Sequence, residues 1–371
     1  MYKLIRENNN IRQGELKTAH GSIKTPFFMP IATKGAVKTI STRDLDNLGA
    51  QILLSNTYHL MLRPGEELIK QAGGLHKFIK WEKPILTDSG GYQVFSLCKM
   101  RKLAEDGVEF QSPVDGQKHF LTPEKAIQIQ LDLGSDIIMV LDECTPYPCE
   151  KEYAKTSLKL TTDWAKRCKK YFIDNVEAST NPGAKLFGIV QGSVYSDLRR
   201  KSLEQLIEIG FDGYAVGGFS VGEPREKTYE ILKNLMPLMS DDKPRYFMGA
   251  GQPEEIVQYV KLGFDMFDCV LPTRNARHGT LYVWAGDNLA KDFYKKIIIT
   301  NEQYKDDFKP VDSDCSCEAC QNYSKAYLRH LFMTEEPLAH RLATLHNLKF
   351  YLDLMARLRN SAHLDKTAKL C

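Results

Sequence analysis

The 371-residue sequence has no apolar run near the ~18–20 residues that span a bilayer. Its start, Met1 to Asn10, is mixed, ends in three asparagines and holds no apolar stretch of the kind a secretory leader carries. The expectation is a cytoplasmic protein without a membrane segment. The sequence also lacks an excess of charge of one sign. Lys and Arg number 50 against 47 Asp and Glu, leaving +3, a balance that neither announces nor excludes a nucleic-acid partner. Low-complexity linkers and internal repeats are missing. Apolar residues at 43% and charged residues at 26% exclude a disordered or collagenous chain. Nine cysteines, an odd number with three crowded between Cys315 and Cys320, do not suit a secreted disulfide framework. They suit a reducing compartment and one metal site. At ~150 residues per domain, the length allows two or three domains, or one large barrel with an addition.

Short apolar runs bounded by Gly, Pro, Asn or Asp recur at Phe27–Ile31, Ile52–Ser55, Ile85–Thr87, Ile137–Leu141, Leu186–Val190, Tyr214–Val216, Tyr246–Met248 and Met266–Val270. Most are continuous rather than alternating, as parallel strands covered on both faces are. Helical stretches separate them. Thr122-Pro123-Glu124 reads as an N-cap with proline at the first helical position, and that helix stops at Gly134. Gln252-Pro253-Glu254-Glu255 starts another, and Glu152–Tyr171, Asp197–Ile209 and Glu226–Met239 supply three more. Eight strands alternating with helices predict an α/β fold, a (β/α)8 TIM barrel.

Two segments break the alternation. A polar stretch of about 94–120, with the turn signal Ser112-Pro113-Val114-Asp115-Gly116, reads as a small β hairpin inserted after the third strand. Beyond Val270 lie the cysteine cluster and a strong helix from Pro337 to about Leu358. The expected division is a barrel over 1–290, a zinc-binding subdomain over 291–350 and a C-terminal helix over 351–371 that completes the barrel. Within the subdomain, Cys315-Ser316-Cys317-Glu318-Ala319-Cys320 spaces three thiolates to reach one ion. His346 shares an inward stripe with Leu338, Leu342 and Leu345 and is the expected fourth ligand, with His330 and His340 as local competitors. Three thiolates and one imidazole make a closed, structural Zn2+ site, one per chain.

Barrel chemistry sits at the C-terminal ends of the strands. There the sequence places Asp88-Ser89-Gly90-Gly91-Tyr92-Gln93, Asp142-Glu143-Cys144, Gln191-Gly192, Gly217-Gly218-Phe219 with Glu223, Met248-Gly249-Ala250-Gly251 and Asp268-Cys269. Asp88 and Asp268 can divide nucleophile and acid/base roles at an oxocarbenium-like centre. Asp142 and Gln191 offer acceptors and donors for the amide-like edge of a purine. Tyr92 and Met248 offer faces for stacking. Arg274 and Arg277, just after Asp268, suit phosphate or base contacts on a nucleic acid.

Together these segments resemble the tRNA-guanine transglycosylases, also called queuine tRNA-ribosyltransferases, in their bacterial form. The resemblance runs from Thr25-Pro26-Phe27-Phe28-Met29-Pro30 to the zinc helix. It implies exchange of the wobble guanine (position 34) in tRNAs with GUN anticodons, those for Asp, Asn, His and Tyr, a step of queuosine biosynthesis. It implies Asp268 as nucleophile, a covalent enzyme–tRNA intermediate, and Asp88 as the group that takes a proton from the incoming base. It further implies that Ser89, Gly90, Gly91, Tyr92, Asp142, Gln191, Gly218, Phe219, Glu223 and Met248 bind the base. Gly249, Ala250, Gly251, Gln252, Pro253, Glu254 and Glu255, with Thr273, Arg274, Asn275, Ala276 and Arg277, would touch tRNA. Cys144 and Val221 match the bacterial pattern, whose substrate is 7-aminomethyl-7-deazaguanine (preQ1). The eukaryotic catalytic subunit has Gly in place of Val221, which makes room for queuine. Phe219 stands where Leu is commoner. The family is homodimeric, and Phe78, Tyr323, Tyr327 and His330 match its interface aromatic cluster. A retaining glycosidase on a barrel would explain the two aspartates, but neither the zinc subdomain nor Arg274 and Arg277.

Overall fold

The computed structural model describes residues 1–97, 101–286, 288–289 and 292–361. Three antiparallel strands open the chain: β1 (Tyr2–Asn8), β2 (Ile11–Thr18) and β3 (Gly21–Thr25). No pattern in the sequence predicts these strands. The inward positions of β2 are Arg12, Gly14 and Leu16, so apolar alternation does not mark the strand. Arg12 is fully buried and its guanidinium faces Asp265, 3.5 Å away, while the Tyr2 hydroxyl donates to the same carboxylate at 3.1 Å. Asp265 immediately precedes the last barrel strand, so the meander closes the N-terminal end of the barrel.

The barrel strands are β4 (Phe27–Met29), β5 (Leu53–Ser55) and β6 (Ile85–Thr87). The insertion follows, with β7 (Arg101–Ala104), β8 (Gly107–Gln111) and β9 (Lys118–Leu121). The barrel resumes with β10 (Ile137–Met139), β11 (Lys185–Val190), β12 (Gly213–Val216), β13 (Arg245–Phe247) and β14 (Met266–Asp268). The parallel order is β4-β14-β13-β12-β11-β10-β6-β5. A parallel bridge between Ile31 and Leu54 joins the two edges, with Ala32 N–H donating to the Leu54 carbonyl at 2.6 Å. The sheet therefore curls into the expected (β/α)8 barrel. Its interior is filled by fully buried side chains that the register places on the inward face, among them Phe27, Leu86, Ile137, Phe187, Tyr246 and Met266.

Local chemistry sets the helix ends. Thr122 Oγ1 accepts from Lys125 N–H at 3.1 Å, Pro123 occupies the first turn, and Gly134 ends Pro123–Leu133 in the left-handed region at φ 72°. Helices Lys151–Asn175, Ser196–Ile209, Arg225–Leu235 and Pro253–Lys261 cover the outside of the sheet. The insertion has three antiparallel strands rather than the two of a hairpin, because Gly107, at φ 155°, turns the chain once more between β7 and β8. The helix Gly91–Leu97 takes the residues where the insertion was expected to begin.

After β14 come the helix Leu271–Arg277, then β15 (Thr280–Trp284) paired with β16 (Tyr294–Ile298), then helices Glu318–Asn322, Lys325–Met333 and Pro337–Ser361. A second apolar core gathers Leu281, Val283, Ile297, Ile299, Leu328, Leu331 and Leu342. The expected boundary at 350/351 falls inside one continuous helix, and the hairpin of the subdomain starts at Thr280, ahead of 291. The reason is packing. Ala339, Leu342 and Ala343 serve the small core, while Leu348, Phe350, Tyr351, Leu354 and Leu358 serve the barrel. The expected continuation over 362–371 lies outside the described residues. Among the described residues no helix is long and apolar enough to cross a membrane.

Candidate active site

The C-terminal ends of the strands converge on one polar cup. Asp88 follows β6 directly and is buried. Its Oδ1 accepts from Thr57 N–H at 3.0 Å and Gly90 N–H at 3.2 Å, and its Oδ2 from Gln93 Nε2 at 2.9 Å and from Asn56 Nδ2. Four donors favour the anion, yet burial outweighs them and pushes the carboxyl up to about 6. Gly91 N–H donates to Ser89 Oγ, and Ser89 Oγ donates to Asp142 Oδ1 at 3.3 Å. A Cβ on Gly91 would lie 2.7 Å from the Asp142 carbonyl oxygen, so the turn after β6 admits only glycine there.

Asp142 lies just past β10. Its Oδ2 accepts from Gln191 Nε2 at 2.7 Å, and burial pushes it up to about 6 as well. Gln191, at the end of β11, is held by its N–H on Ser202 Oγ, and its Oε1 is buried without a partner. Gly218, after β12, has φ 68°, and a Cβ there would lie 2.3 Å from Gln191 Oε1. Ser89, Gly91, Asp142, Gln191 and Gly218 thus form one contiguous wall. Met248 joins it, with Sδ 3.6 Å from the position of a Cβ on Gly217. Tyr92 stands half-exposed on the rim. Glu223 accepts from Ser220 N–H at 2.6 Å, Val221 N–H at 3.0 Å and Thr228 Oγ1 at 3.1 Å, which fixes the loop after Phe219.

Asp268 ends β14. Its Oδ1 accepts from the Tyr246 hydroxyl at 2.6 Å and from Gly249 N–H at 2.9 Å, and burial raises its pKa. Tyr246 is fully buried on β13, and its own pKa is held well above 10 by burial, then by Asp268, with Asp88 adding to it. One hydroxyl therefore senses both carboxylates. Asn56, Thr57, Gln93 and Tyr246 hold these groups in place and were not among the expected site residues. Tyr246 reads as a core strand residue, and nothing local marks its hydroxyl as a donor to a group 22 residues away.

The segment 249–255 is braced rather than free. Gln252 and Glu255 form a capping box, Tyr294 donates to Glu254 Oε2 at 2.6 Å, and Arg225 reaches Glu255 at 2.8 Å. Tyr351 donates to the Gly251 carbonyl at 2.6 Å. In the helix Leu271–Arg277, Pro272 and Ala276 are buried and Arg274 is exposed. Arg277, partly buried, donates to the Thr273 carbonyl, and Asn275 donates to the Tyr282 hydroxyl at 2.6 Å.

Cys315, Cys317, Cys320 and His346 are all buried, with ligand atoms within 4.8 Å of one another. His346 Nδ1 is 3.2 Å from Cys320 Sγ and 3.7 Å from Cys317 Sγ, while Nε2 donates to the Tyr282 carbonyl at 2.7 Å. That second bond leaves the Nδ1 lone pair facing the sulfurs, as a metal-ligating histidine requires. Tetrahedral bonds of ~2.0–2.3 Å place ligand atoms about 3.3–3.8 Å apart, so the group is shaped for one ion. The competitors are elsewhere engaged: His330 stacks on Tyr327, and His340 packs against Phe332. A second cluster, His20, His76 and Asp136, sits at the opposite end of the barrel. Its two imidazoles stack face to face at 3.6 Å. In-plane lone pairs on parallel rings cannot meet on one ion, and the carboxylate instead accepts from both rings.

Residues 7–371 match the family model described as queuine tRNA-ribosyltransferase. The queuine tRNA-ribosyltransferase of Halothermothrix orenii is 53% identical over 358 residues, covering 96% of this chain and 92% of that protein. Those of Thermodesulfovibrio yellowstonii and Psychrobacter cryohalolentis are 51% and 52% identical, each with 90% of its own length covered and with 97% and 96% of this chain.

Proposed function

This chain belongs to the queuine tRNA-ribosyltransferase family, and from that premise we propose the substrate, the intermediate and the roles of its residues. It is a tRNA-guanine transglycosylase, a pentosyltransferase of queuosine synthesis. The incoming base is preQ1, the site is guanosine 34 of GUN-anticodon tRNAs, and the protein acts in the cytoplasm as a homodimer.

One observation carries this reading. A purine-edge wall of Ser89, Asp142, Gln191 and Gly218 stands in the same cup as an aspartate, Asp268, oriented by Tyr246 and Gly249. The target guanine leaves the anticodon stack, at a cost of a few kcal/mol, to reach it. Asp268 attacks the ribose anomeric carbon, and the C1′–N9 bond breaks with its electron pair passing into the guanine ring. The Asp88 carboxyl, raised to about 6, supplies the proton that makes the departing base neutral. The incoming preQ1 returns a proton to Asp88, and its ring nitrogen displaces Asp268. Because Ser220 N–H points at Glu223, the Phe219 carbonyl of the same peptide points away from it. That orientation suits the aminomethyl group of preQ1. Cys315, Cys317, Cys320 and His346 would hold a zinc ion that supplies structure only, fastening the 315–320 loop to the long helix.

Labelled guanine should enter tRNA, and wild-type protein should give a denaturation-resistant protein–RNA band that Asp268→Ala lacks. A band persisting in that variant overturns the nucleophile. Nucleoside mass analysis with preQ1 and queuine in competition should show preQ1 incorporated, and preferential queuine incorporation overturns that assignment.

A further inference from the structure

Arg199, on the helix Ser196–Ile209, is fully buried behind the purine-edge wall. Its hydrogen bonds all go to carbonyl oxygens at strand ends. Nη1 donates to Gly217 at 2.6 Å and Val190 at 3.1 Å, Nη2 to Gly218 at 3.3 Å, and Nε to Ser193 at 2.7 Å. Its Cζ lies 3.8 Å from the centre of the Phe219 ring, so the Phe at that position covers the cation with a π face. Fastening four carbonyls does not by itself demand a charge. Burying a guanidinium costs several kcal/mol, and among the described residues no ion pair repays it.

The position of the charge suggests what it does. The Gly217 carbonyl and the Gly218 N–H belong to one planar trans peptide and point in opposite directions. With the oxygen on Arg199, the N–H points away from it, to the side where the purine edge binds. A guanidinium on the oxygen draws electron density from the nitrogen and makes that N–H a stronger donor. We propose that Arg199 is a positioning residue of the exchange, which polarises the Gly217–Gly218 peptide so that its N–H stabilises the negative charge developing on the departing purine. The inference rests on base exchange as the reaction. Charge reaches the purine only as the C1′–N9 bond opens, so the effect belongs to the transition state and not to ground-state binding. Burial lowers the pKa of Arg199, but only to about 9, so the group is charged at neutral pH.

The test is steady-state guanine exchange with Arg199→Met and Arg199→Lys. Loss of one direct oxyanion donor costs ~10²–10³ in kcat. For this indirect contact Arg199→Met should lose about 10- to 100-fold in kcat, with the KM for the base changed less than about threefold. Arg199→Lys keeps the charge but not the four-way fan, and should recover part of kcat. Its activity should fall at lower pH than wild type, as the buried ammonium loses its proton. A merely structural role predicts a raised KM, a lowered Tm and no recovery with Lys, and that pattern overturns the proposal. If Arg199→Met does not fold, the pH profile of Arg199→Lys decides alone: a profile superimposable on wild type overturns it. Failure of wild type to exchange guanine would overturn the reaction itself, whereas exchange by wild type with full kcat in Arg199→Met overturns only this inference.

Discussion

At the scale of single residues, the site is a set of carboxylates kept in a cost-bearing state. Asp88 and Asp142 are both pushed up to about 6 by burial. A raised carboxyl pKa means that the folded state binds the proton more tightly than the unfolded chain does. The resulting stability is complete below about pH 4 and is lost as pH rises through about 6. Two units correspond to at most about 3 kcal/mol per group. Asp142→Asn, isosteric and uncharged, should therefore raise Tm relative to wild type at pH 8 and leave it nearly unchanged at pH 4. The same substitution should weaken preQ1 binding, since an acceptor for the purine edge is replaced. Thermal unfolding at both pH values checks the first claim, and an equal Tm difference at both would refute it. Base exchange should also show a bell-shaped kcat/KM profile centred near pH 6, its acid limb from Asp142, which must be ionised to accept from the base, and its alkaline limb from Asp88, which must carry the proton it gives to the departing base.

At the scale of elements, the hairpin β15–β16 acts as the hinge piece between two cores. Tyr282 gives its carbonyl to His346, its hydroxyl to Asn275 and its ring to Phe350. Tyr294 and Lys296 on β16 reach Glu254 and Gln252 of the segment beside Asp268. A change at the cysteine group is therefore transmitted, through packed elements, to the segment proposed to touch tRNA. Cys317→Ala should lose the metal, because three ligands do not close a tetrahedral structural site, and should destabilise the subdomain by several kcal/mol. Metal content per chain and thermal unfolding measure this, and stoichiometric zinc in the variant would refute the ligand assignment. tRNA affinity should fall further than preQ1 affinity, since the purine-edge wall belongs to the barrel.

At the scale of the whole molecule, the two ends of the barrel have different work. The N-terminal end is sealed by the buried Arg12–Asp265 pair and by Asp136, which accepts from the His20 and His76 rings; Arg12 and His20 tie the β1–β3 meander to the barrel. The C-terminal end carries the polar cup of Asp88, Asp142, Gln191 and Asp268, where the exchange is proposed to occur. On the subdomain, Tyr323 stacks on Tyr327 at 5.3 Å and Tyr327 on His330 at 6.5 Å, with Tyr327 39% exposed. An aromatic row left half in water suits the proposed homodimer interface. Tyr327→Ala should shift the chain toward monomer in sedimentation at micromolar concentration, with the subdomain still folded, and an unchanged dimer would place the interface elsewhere.

The sequence by itself determined the barrel, because eight continuous apolar runs separated by capped helices have few other ways to bury both faces of a parallel sheet. It also determined which strand ends carry Asp88, Asp142, Gln191 and Asp268, since each lies within a few residues of an apolar run. The cysteine spacing was legible for the same reason: the chemistry is local. What the sequence could not display are relations across the sheet. Tyr246 on Asp268, Asn56 on Asp88 and Arg199 on the Gly217 carbonyl join residues 18 to 32 positions apart. Each of those side chains, read alone, is an ordinary strand, turn or helix residue. Likewise β2 escaped pattern reading because its buried face holds an arginine whose partner lies on the far side of the chain. Only the pairing of neighbouring strands and the packing of helices on them bring these groups within hydrogen-bond distance and exclude the water that would weaken them, so only the tertiary structure decided how the carboxylates are held and charged.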